Sequence, residues 1–187
     1  QGTYGDLGVA GFSLGGNFAL RLAKHLRIPA LGICPLMDPA ASVAMIDQGS
    51  TVYKKYFMRK WLAAMDEKSA HFPKLYDFHQ TGAYEVKTVH GMTEHFIDHY
   101  TDYADLQSYY DCYTLTGSFL DGVEAAILAA EDDPVVPAEG FRNLPQSLNV
   151  KLTAHGGHCA YIDSYRMTSF ADGYAAEFFH RKLPLKS

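Results

Sequence analysis

The sequence contains no hydrophobic run of the roughly 18–20 residues that a membrane-spanning helix needs. It also contains no block rich in lysine or arginine, and its formal net charge is -5. Binding to nucleic acid normally requires a concentrated basic surface, so nucleic acid is not an expected partner. We therefore expect no transmembrane segment and no nucleic-acid interface within these 187 residues.

Cysteine is scarce, and the three cysteines, Cys34, Cys112 and Cys159, include no C-x-x-C pair. This count and spacing argue against a disulfide framework and against a cysteine zinc site, and they favour a reducing compartment, the cytoplasm. The sequence also lacks an initial methionine and a signal peptide, because a strand-like run follows soon after Gln1. We interpret the chain as a fragment without its natural beginning, which leaves membrane anchoring through a missing segment open.

Four short apolar runs predict the strands of a sheet. They are LGVAGF (residues 7–12), ALGICP (30–35), VEAAILAA (123–130) and NVKLTAH (149–155). Runs that are apolar almost throughout are typical of parallel strands covered by helices, which predicts an α/β fold. After the first run, residues at helical spacing predict a helix that ends before Pro29; they are Phe18, Ala19, Leu22, Ala23 and Leu26.

The closing segment, from Asp163 to Arg181, predicts a further helix with an aromatic face. The residues of that face are Tyr165, Phe170, Tyr174, Phe178 and Phe179. Packing of this face against the sheet is the simplest interpretation.

The segment 38–113 separates the second and third predicted strands and is too long for a simple loop. It is polar, helical in outline and rich in aromatic residues such as Trp61 and Phe96. We predict a helical cap over 38–113, inserted into an α/β core made of 1–37 and 114–187. The aromatic residues are explained by packing of the cap on the sheet, or by an apolar wall that favours longer acyl chains over acetyl.

The stretch GFSLGG, from Gly11 to Gly16, places three glycines around Ser13 directly after the first predicted strand. Glycine permits positive φ and close approach of backbones, so a sharp turn that holds Ser13 under constraint is predicted. The pattern G-x-S-x-G between a strand and a helix is typical of a serine nucleophile. Such a serine needs a base, and the base needs an acid that orients it.

Two later loops supply an acid and a base. AAEDDPVVP follows the third predicted strand and places Asp133 directly before a proline, and AHGGHCAY follows the fourth and places His158 behind two glycines. Asp132 and Glu131 compete for the role of the acid, and His155 competes for the role of the base. The stiffened position before proline favours Asp133, and the flexible glycine pair favours His158.

The chain order Ser13, Asp133, His158 is the order of the catalytic triad in α/β-hydrolases. Beyond the triad, the sequence resembles the YheT-like branch of the α/β-hydrolase superfamily, which also contains α/β-hydrolase-domain lipases. The segments that carry this resemblance are GFSLGGNFALRLAKHL, YYDCYTLTGSFL, AAEDDPVVP and GGHCAYID. The resemblance implies a serine hydrolase of small-molecule acyl esters, including lipid esters, that uses neither a metal nor an organic cofactor. A thioesterase or an acyltransferase of the same fold is the alternative.

The resemblance also implies that further strands precede the first run, because the nucleophile strand is an inner strand of this fold. It implies one oxyanion-hole N–H from Leu14, and a second from a loop that this chain does not contain. We therefore expect the chain by itself to be at best marginally folded and nearly inactive, with an unpaired sheet edge beside LGVAGF.

A rival hypothesis is a metal-binding or sensor module built on HGMTEHFIDH, where His95 and His99 lie four residues apart on one helix face. The stretch does not match H-E-x-x-H, and HGMTEH is one residue too long for H-x-x-E-H. Solvated histidines of the cap are the simpler interpretation. A third hypothesis is a noncatalytic relative that keeps the fold without an activated serine.

Overall fold

The computed structural model describes residues 7–183. The first six residues of the predicted core segment 1–37 and the last four of 114–187 lie outside the described residues. The chain divides into two compact units: unit 1 comprises Gln1–Pro39 and Tyr113–Ser187, and unit 2 comprises Ala40–Cys112. Unit 2 is therefore an insertion within the sequence of unit 1.

Unit 1 contains a sheet of four parallel strands in the order β1-β2-β3-β4. The strands are β1 (Val9–Phe12), β2 (Ala30–Ile33), β3 (Ala125–Ala130) and β4 (Asn149–Thr153), and each lies within one of the predicted apolar runs. The two inner strands, β2 and β3, are buried throughout. β1 and β4 are only partly buried, because each pairs on one side only within residues 7–183.

Two helices of unit 1, α1 (Leu14–Leu26) and α6 (Phe170–Lys182), pack on this sheet. Side chains alternate between the two faces along a strand. Leu31 of β2 accordingly joins the core that includes α6, whereas the next residue, Gly32, lies against Leu20 of α1. The chain has an α/β fold with a parallel sheet flanked by helices, as the apolar runs predict.

The buried side of α1 combines small residues with Asn17 and Leu20, and the other large apolar residues of the helix are exposed. The helix begins directly after Ser13 and is closed by Arg27 in the left-handed conformation (φ 54°). Its buried residues are Gly16, Asn17, Ala19, Leu20 and Ala23. The predicted large members of the apolar set are 42–60% exposed: Phe18, Leu22 and Leu26. The helix itself is confirmed, but only the two alanines of the predicted set are buried, because α1 lies close to the sheet.

The closing helix is shorter than the sequence predicts. It begins at Phe170, because the hydroxyl of Ser169 accepts a hydrogen bond from the first turn and caps the helix there. The prediction of a helix that begins at Asp163 is therefore wrong, and Tyr165 lies fully exposed in the loop before the helix. The other predicted aromatic residues pack against the core of unit 1: Phe170, Tyr174, Phe178 and Phe179.

Unit 2 is helical. The helices of the insertion are α2 (Pro39–Gln48), α3 (Thr51–His71), α4 (Val89–Tyr100) and α5 (Leu106–Tyr113), and short 3₁₀ turns lie at Ala83–Glu85 and, in unit 1, at Ala138–Phe141. Phe78 is buried, and its ring centroid lies 5.1–5.5 Å from those of Tyr76, Phe96 and Tyr100. These four aromatic residues thus pack together within unit 2 itself, a role that neither interpretation of the sequence includes.

The longest helix described is α3, with 21 residues, and charged side chains occur along its length. Between residues 7 and 183, no helix combines the length and the apolar character that crossing a membrane requires.

Candidate active site

Ser13 occupies a strained turn between β1 and α1. Its backbone has φ 52° and ψ -121°, a conformation that residues other than glycine rarely adopt. The Ser13 N–H donates to Ile33 O (2.9 Å), and the Leu36 N–H donates to Ser13 O (3.1 Å). These bonds fix the serine at the carboxyl edge of the sheet, in the constrained turn that GFSLGG predicts.

Two of the three glycines around Ser13 are required by close approach rather than by positive φ. A Cβ atom at Gly11 would lie 2.0 Å from the carbonyl oxygen of Gly15, and one at Gly16 would lie 2.9 Å from Cβ of Pro35. A Cβ atom at Gly15 would meet nothing within 4 Å. The glycines therefore make room for the turn, while the serine itself carries the positive φ.

Asp133 lies in the loop that follows β3, and its side chain is only 1% exposed. One carboxylate oxygen, Oδ1, accepts hydrogen bonds from the N–H groups of Val135 (2.8 Å) and Val136 (3.0 Å). An aspartate that bonds to the backbone ahead of it forms an Asx-type turn. These bonds orient the carboxylate and leave Oδ2 facing His158.

His158 joins Ser13 and Asp133 in one chain of hydrogen bonds. Its Nδ1 lies 2.9 Å from Oδ2 of Asp133, and its Nε2 lies 2.9 Å from Oγ of Ser13. A carboxylate only accepts hydrogen bonds, so Nδ1 carries the hydrogen and Nε2 of the neutral ring accepts from the serine hydroxyl. This arrangement can transfer a proton from serine to imidazole while the carboxylate stabilises the resulting cation.

The competing acids and the competing base take other positions. Oδ1 of Asp132 accepts a hydrogen bond from the Gly157 N–H (2.8 Å), and Oδ2 lies 3.4 Å from Nδ1 of the exposed His155. The bond from Gly157 is the main cause that lowers the pKa of Asp132 below its ordinary value. Glu131 is also exposed. Neither Asp132 nor Glu131 takes the position beside the histidine ring that Asp133 takes.

Leu14 is the first residue of α1, so its N–H has no carbonyl partner within the helix. The N–H of Ser13 is already bonded to Ile33 O. Of the N–H groups of Ser13 and Leu14, that of Leu14 is therefore the one that can donate to an oxygen atom bound beside Oγ of Ser13.

His95 and His99, the candidate metal pair, lie on α4 with their rings stacked 4.3 Å apart. Nε2 of His95 lies 3.0 Å from the hydroxyl of Thr81, and burial, followed by the proximity of His99, lowers the pKa of His95. Within residues 7–183, neither histidine belongs to a cluster of three His, Cys, Asp or Glu ligand atoms at metal-binding spacing. The pair therefore lacks the third side-chain ligand of that kind that a zinc site needs.

Asn17 is a polar residue in the core of unit 1 that no sequence motif marks as functional. It is fully buried in α1, and its Nδ2 donates to Leu36 O (2.6 Å) and to Tyr113 O (2.7 Å). These carbonyls belong to the two points where the chain leaves unit 1 and returns to it. An asparagine directly after the GG of GFSLGG is the only sequence signal for this role.

Two cysteines also lie at the site and were considered in the sequence only as unpaired thiols. Cys34 follows β2 and Cys159 follows His158; both have positive φ, 43° and 67°. Sγ of Cys34 lies 3.7 Å from Gly157 O, and Sγ of Cys159 lies 3.7 Å from Ile33 O. The Cys159 thiol lowers the pKa of Cys34, whereas the Cys34 thiol and burial raise the pKa of Cys159.

The comparisons with known proteins agree with this fold. No protein-family model matches the chain. The chain is 30% identical over 166 residues to "Putative esterase YheT" of Escherichia coli (strain K12), covering 82% of this chain and 48% of that protein. The chain thus spans about half the length of this relative.

Among solved structures, the meta-cleavage product hydrolase CumD from Pseudomonas fluorescens IP01 matches with a TM-score of 0.52. The match has 15% identity and covers 94% of this chain and 65% of that chain. An alpha/beta superfamily hydrolase from Oenococcus oeni PSU-1 matches with a TM-score of 0.47 at 14% identity, covering 96% of this chain and 68% of that chain. The structural match shows the fold and the sequence match gives a relative: the chain has an α/β-hydrolase fold and is similar in sequence to YheT.

Proposed function

We propose that the protein is a serine hydrolase that cleaves small-molecule carboxylic esters through an acyl-enzyme intermediate. The observation that carries the proposal is the continuous hydrogen-bonded chain from Ser13 through His158 to Asp133, with two contacts of 2.9 Å. The esterase name of the relative YheT supports an ester as the substrate.

In the first half of the proposed reaction, Ser13 Oγ attacks the ester carbonyl while Nε2 of His158 takes the serine proton. The imidazolium that forms is stabilised by the carboxylate of Asp133, which keeps its negative charge. The tetrahedral intermediate then collapses, and His158 returns the proton to the departing alcohol. The acyl group stays bonded to Oγ as an ester.

In the second half, water replaces the alcohol. His158 takes a proton from the water, the hydroxide attacks the acyl-enzyme, and the carboxylic acid leaves as the proton returns to Ser13. In both halves the negative charge develops on the former carbonyl oxygen. We assign the Leu14 N–H as one donor to this oxygen, because it starts α1 and has no intrahelical partner.

The test of the proposal is made in the full-length protein and compares Ser13→Ala and His158→Ala with the matched controls Ser118→Ala and His155→Ala, which change exposed residues. Triad residues act as a unit, so each triad variant loses most of a factor of about 10⁴–10⁶ in kcat with p-nitrophenyl esters. A fluorophosphonate probe labels the unmodified protein and both controls, but not Ser13→Ala. Near-normal turnover or labelling of Ser13→Ala would disprove the proposal.

The acceptor of the acyl group separates the ester hydrolase from an acyltransferase, and the leaving group separates it from a thioesterase. A hydrolase releases free acid from oxygen esters at the same rate when a second alcohol is added. An acyltransferase would give a new ester, and a thioesterase would prefer the thioester of the same acyl group.

A further inference from the structure

Two of the three cysteines and the histidine of the site form a cluster of potential metal ligands. The Sγ atoms of Cys34 and Cys159 and a ring nitrogen of His158 all lie within 4.8 Å of one another. Among residues 7–183, this is the only group of three or more His, Cys, Asp and Glu side chains with such spacing. Cys34 is buried, and the other two residues are partly exposed, so solvent reaches one side of the cluster.

We propose that Cys34, Cys159 and His158 form a binding site for a thiophilic divalent cation, for which Zn²⁺ is the probe, and that the bound cation inhibits the protein reversibly. The binding site follows from the cluster alone. The inhibition rests on the function proposed above.

Two thiolates and one imidazole are a donor set that zinc accepts, with a fourth position open to water or another oxygen. Zinc–sulfur bonds of about 2.3 Å and zinc–nitrogen bonds of about 2.0 Å place tetrahedral ligand atoms about 3.5–3.8 Å apart. The ligand atoms lie within 4.8 Å of one another, so forming the site requires them to close by at most about 1.3 Å. On binding, both thiols lose their protons to solvent, and the charge of Zn²⁺ is balanced by two thiolates without any redox step.

The two loops of the cluster already hold each other in place. Sγ of Cys34 lies at hydrogen-bond distance from Gly157 O in the histidine loop, and Sγ of Cys159 lies at that distance from Ile33 O in β2. The Cys34 N–H donates to Leu128 O (2.7 Å), which ties this loop to β3. The ligands thus come from segments that the fold holds together before any cation binds.

Binding of the cation conflicts with the triad because each ring nitrogen of His158 already has a partner there. Nδ1 bonds to Asp133 and Nε2 bonds to Ser13. A cation that takes either nitrogen removes one of these bonds and also occupies the lone pair or the proton position that the reaction needs. The same imidazole therefore cannot serve the cation and the serine at once.

Binding is tested in Ser13→Ala, so that the readout does not depend on activity, with a phosphine reductant present to keep the thiols reduced. Co²⁺ gives a thiolate-to-cobalt charge-transfer band, and Zn²⁺ affinity is measured by competition with a chromophoric chelator. We expect one Zn²⁺ per chain. A second substitution in this Ser13→Ala variant, Cys34→Ala or Cys159→Ser, weakens Zn²⁺ binding by at least about 100-fold. Even residues that only hydrogen-bond to the ligands of a metal contribute about 10–100-fold to its affinity, and these cysteines would be ligands themselves.

The matched control is Cys112→Ser, which changes the exposed cysteine that lies outside the cluster and leaves the band and the affinity unchanged. Absence of the charge-transfer band, or equal Zn²⁺ affinity in the two cluster variants and the control, would overturn the site. If Cys34→Ala does not melt cooperatively, the partly exposed Cys159→Ser decides the question.

Inhibition is measured in the protein that keeps Ser13. We expect Zn²⁺ to slow both ester turnover and fluorophosphonate labelling, and a chelator to restore both rates. Each rate is normalised to its value without metal. The Zn²⁺ concentration that halves the rate rises at least about tenfold in Cys159→Ser. Zn²⁺ that binds without slowing either rate would overturn the inhibitory role. A cobalt band in a protein that neither turns over esters nor reacts with the probe would leave the metal site standing and refute the proposed function.

Discussion

Gly157, the residue directly before His158, donates a hydrogen bond of 2.8 Å from its N–H to Oδ1 of Asp132. The neighbouring aspartate, Asp133, bonds to the histidine ring itself. Two consecutive carboxylates from the loop after β3 therefore hold the loop after β4, one through its backbone and the other through its imidazole. Their exposures differ accordingly, because the side chain of Asp132 is 43% exposed and that of Asp133 is 1% exposed.

The first prediction separates these two aspartates. Asp133→Asn lowers kcat by about 10⁴, because an amide at this position favours the wrong tautomer of the histidine and no longer stabilises its cation. Asp132→Asn keeps an oxygen that can accept from Gly157, so the loss in kcat is far smaller. Turnover of a p-nitrophenyl ester by the two variants provides the measurement, and the reverse ranking would transfer the role of the acid to Asp132.

The second prediction concerns the pH dependence of the loop. The pKa of Asp132 is lowered from its ordinary 3.8, chiefly by the bond from Gly157. A carboxyl with a lowered folded-state pKa contributes stability above its unfolded-state pKa, and this contribution is lost as the pH falls through the folded-state pKa. The amide NMR signal of Gly157 therefore titrates with a midpoint below that of an ordinary aspartate.

The control for this titration is Asp132→Asn, in which the Gly157 signal no longer shows the transition. A midpoint at or above the ordinary aspartate value of 3.8 would contradict the assigned hydrogen bond.

The third prediction concerns the buried amide of Asn17. Asn17→Ala removes the donor to Leu36 O and Tyr113 O and leaves a small cavity. Because two buried carbonyls then lack this partner, the free energy of unfolding falls by at least about 1–3 kcal/mol. Denaturant unfolding measures this loss. The exposed Asn143→Ala is the matched control, and its stability stays within about 0.5 kcal/mol of the unmodified protein. Equal stability of the two variants would refute the role of Asn17.

The fourth prediction uses two glycines of the serine turn. Gly11→Ala places Cβ 2.0 Å from the carbonyl oxygen of Gly15. Ordinary overpacking of a core costs about 1–3 kcal/mol, and we expect this closer contact to destabilise the protein by more than that. Gly15→Ala meets no atom within 4 Å and lies in α1, where alanine is favoured over glycine by up to about 1 kcal/mol. Thermal melting of the two variants therefore gives opposite shifts, and similar losses would mean that the turn is not packed as described.

Local sequence determined the elements of the core. Each apolar run contains one strand, and the helix after Ser13 ends where its pattern and Pro29 predict. It also determined which loops meet, since the carboxyl ends of parallel strands lie at one edge of the sheet. The loops after β1, β3 and β4 therefore come together although Ser13 and His158 are separated by 145 positions.

Local pattern was less informative where one capping bond or one close approach decides the outcome. The aromatic spacing from Asp163 onward is helical, yet the hydroxyl of Ser169 caps the helix and delays its start to Phe170. Similarly, the apolar spacing of α1 does not reveal that Ala19, Leu20 and Ala23 are buried while Phe18 and Leu22 are exposed, because burial depends on the distance between helix and strand.

Only the tertiary structure decided which polar groups meet at the edge of the sheet. The sequence offers Glu131, Asp132 and Asp133 side by side, and the backbone direction of one short loop turns Asp133 inward and the other two outward. The meeting of Cys34 with Cys159 depends in the same way on the adjacency of two loops that are distant in sequence. Hydrogen bonds and metal-ligand spacings are set over distances of a few ångströms, and sequence spacing carries no such information between separate loops.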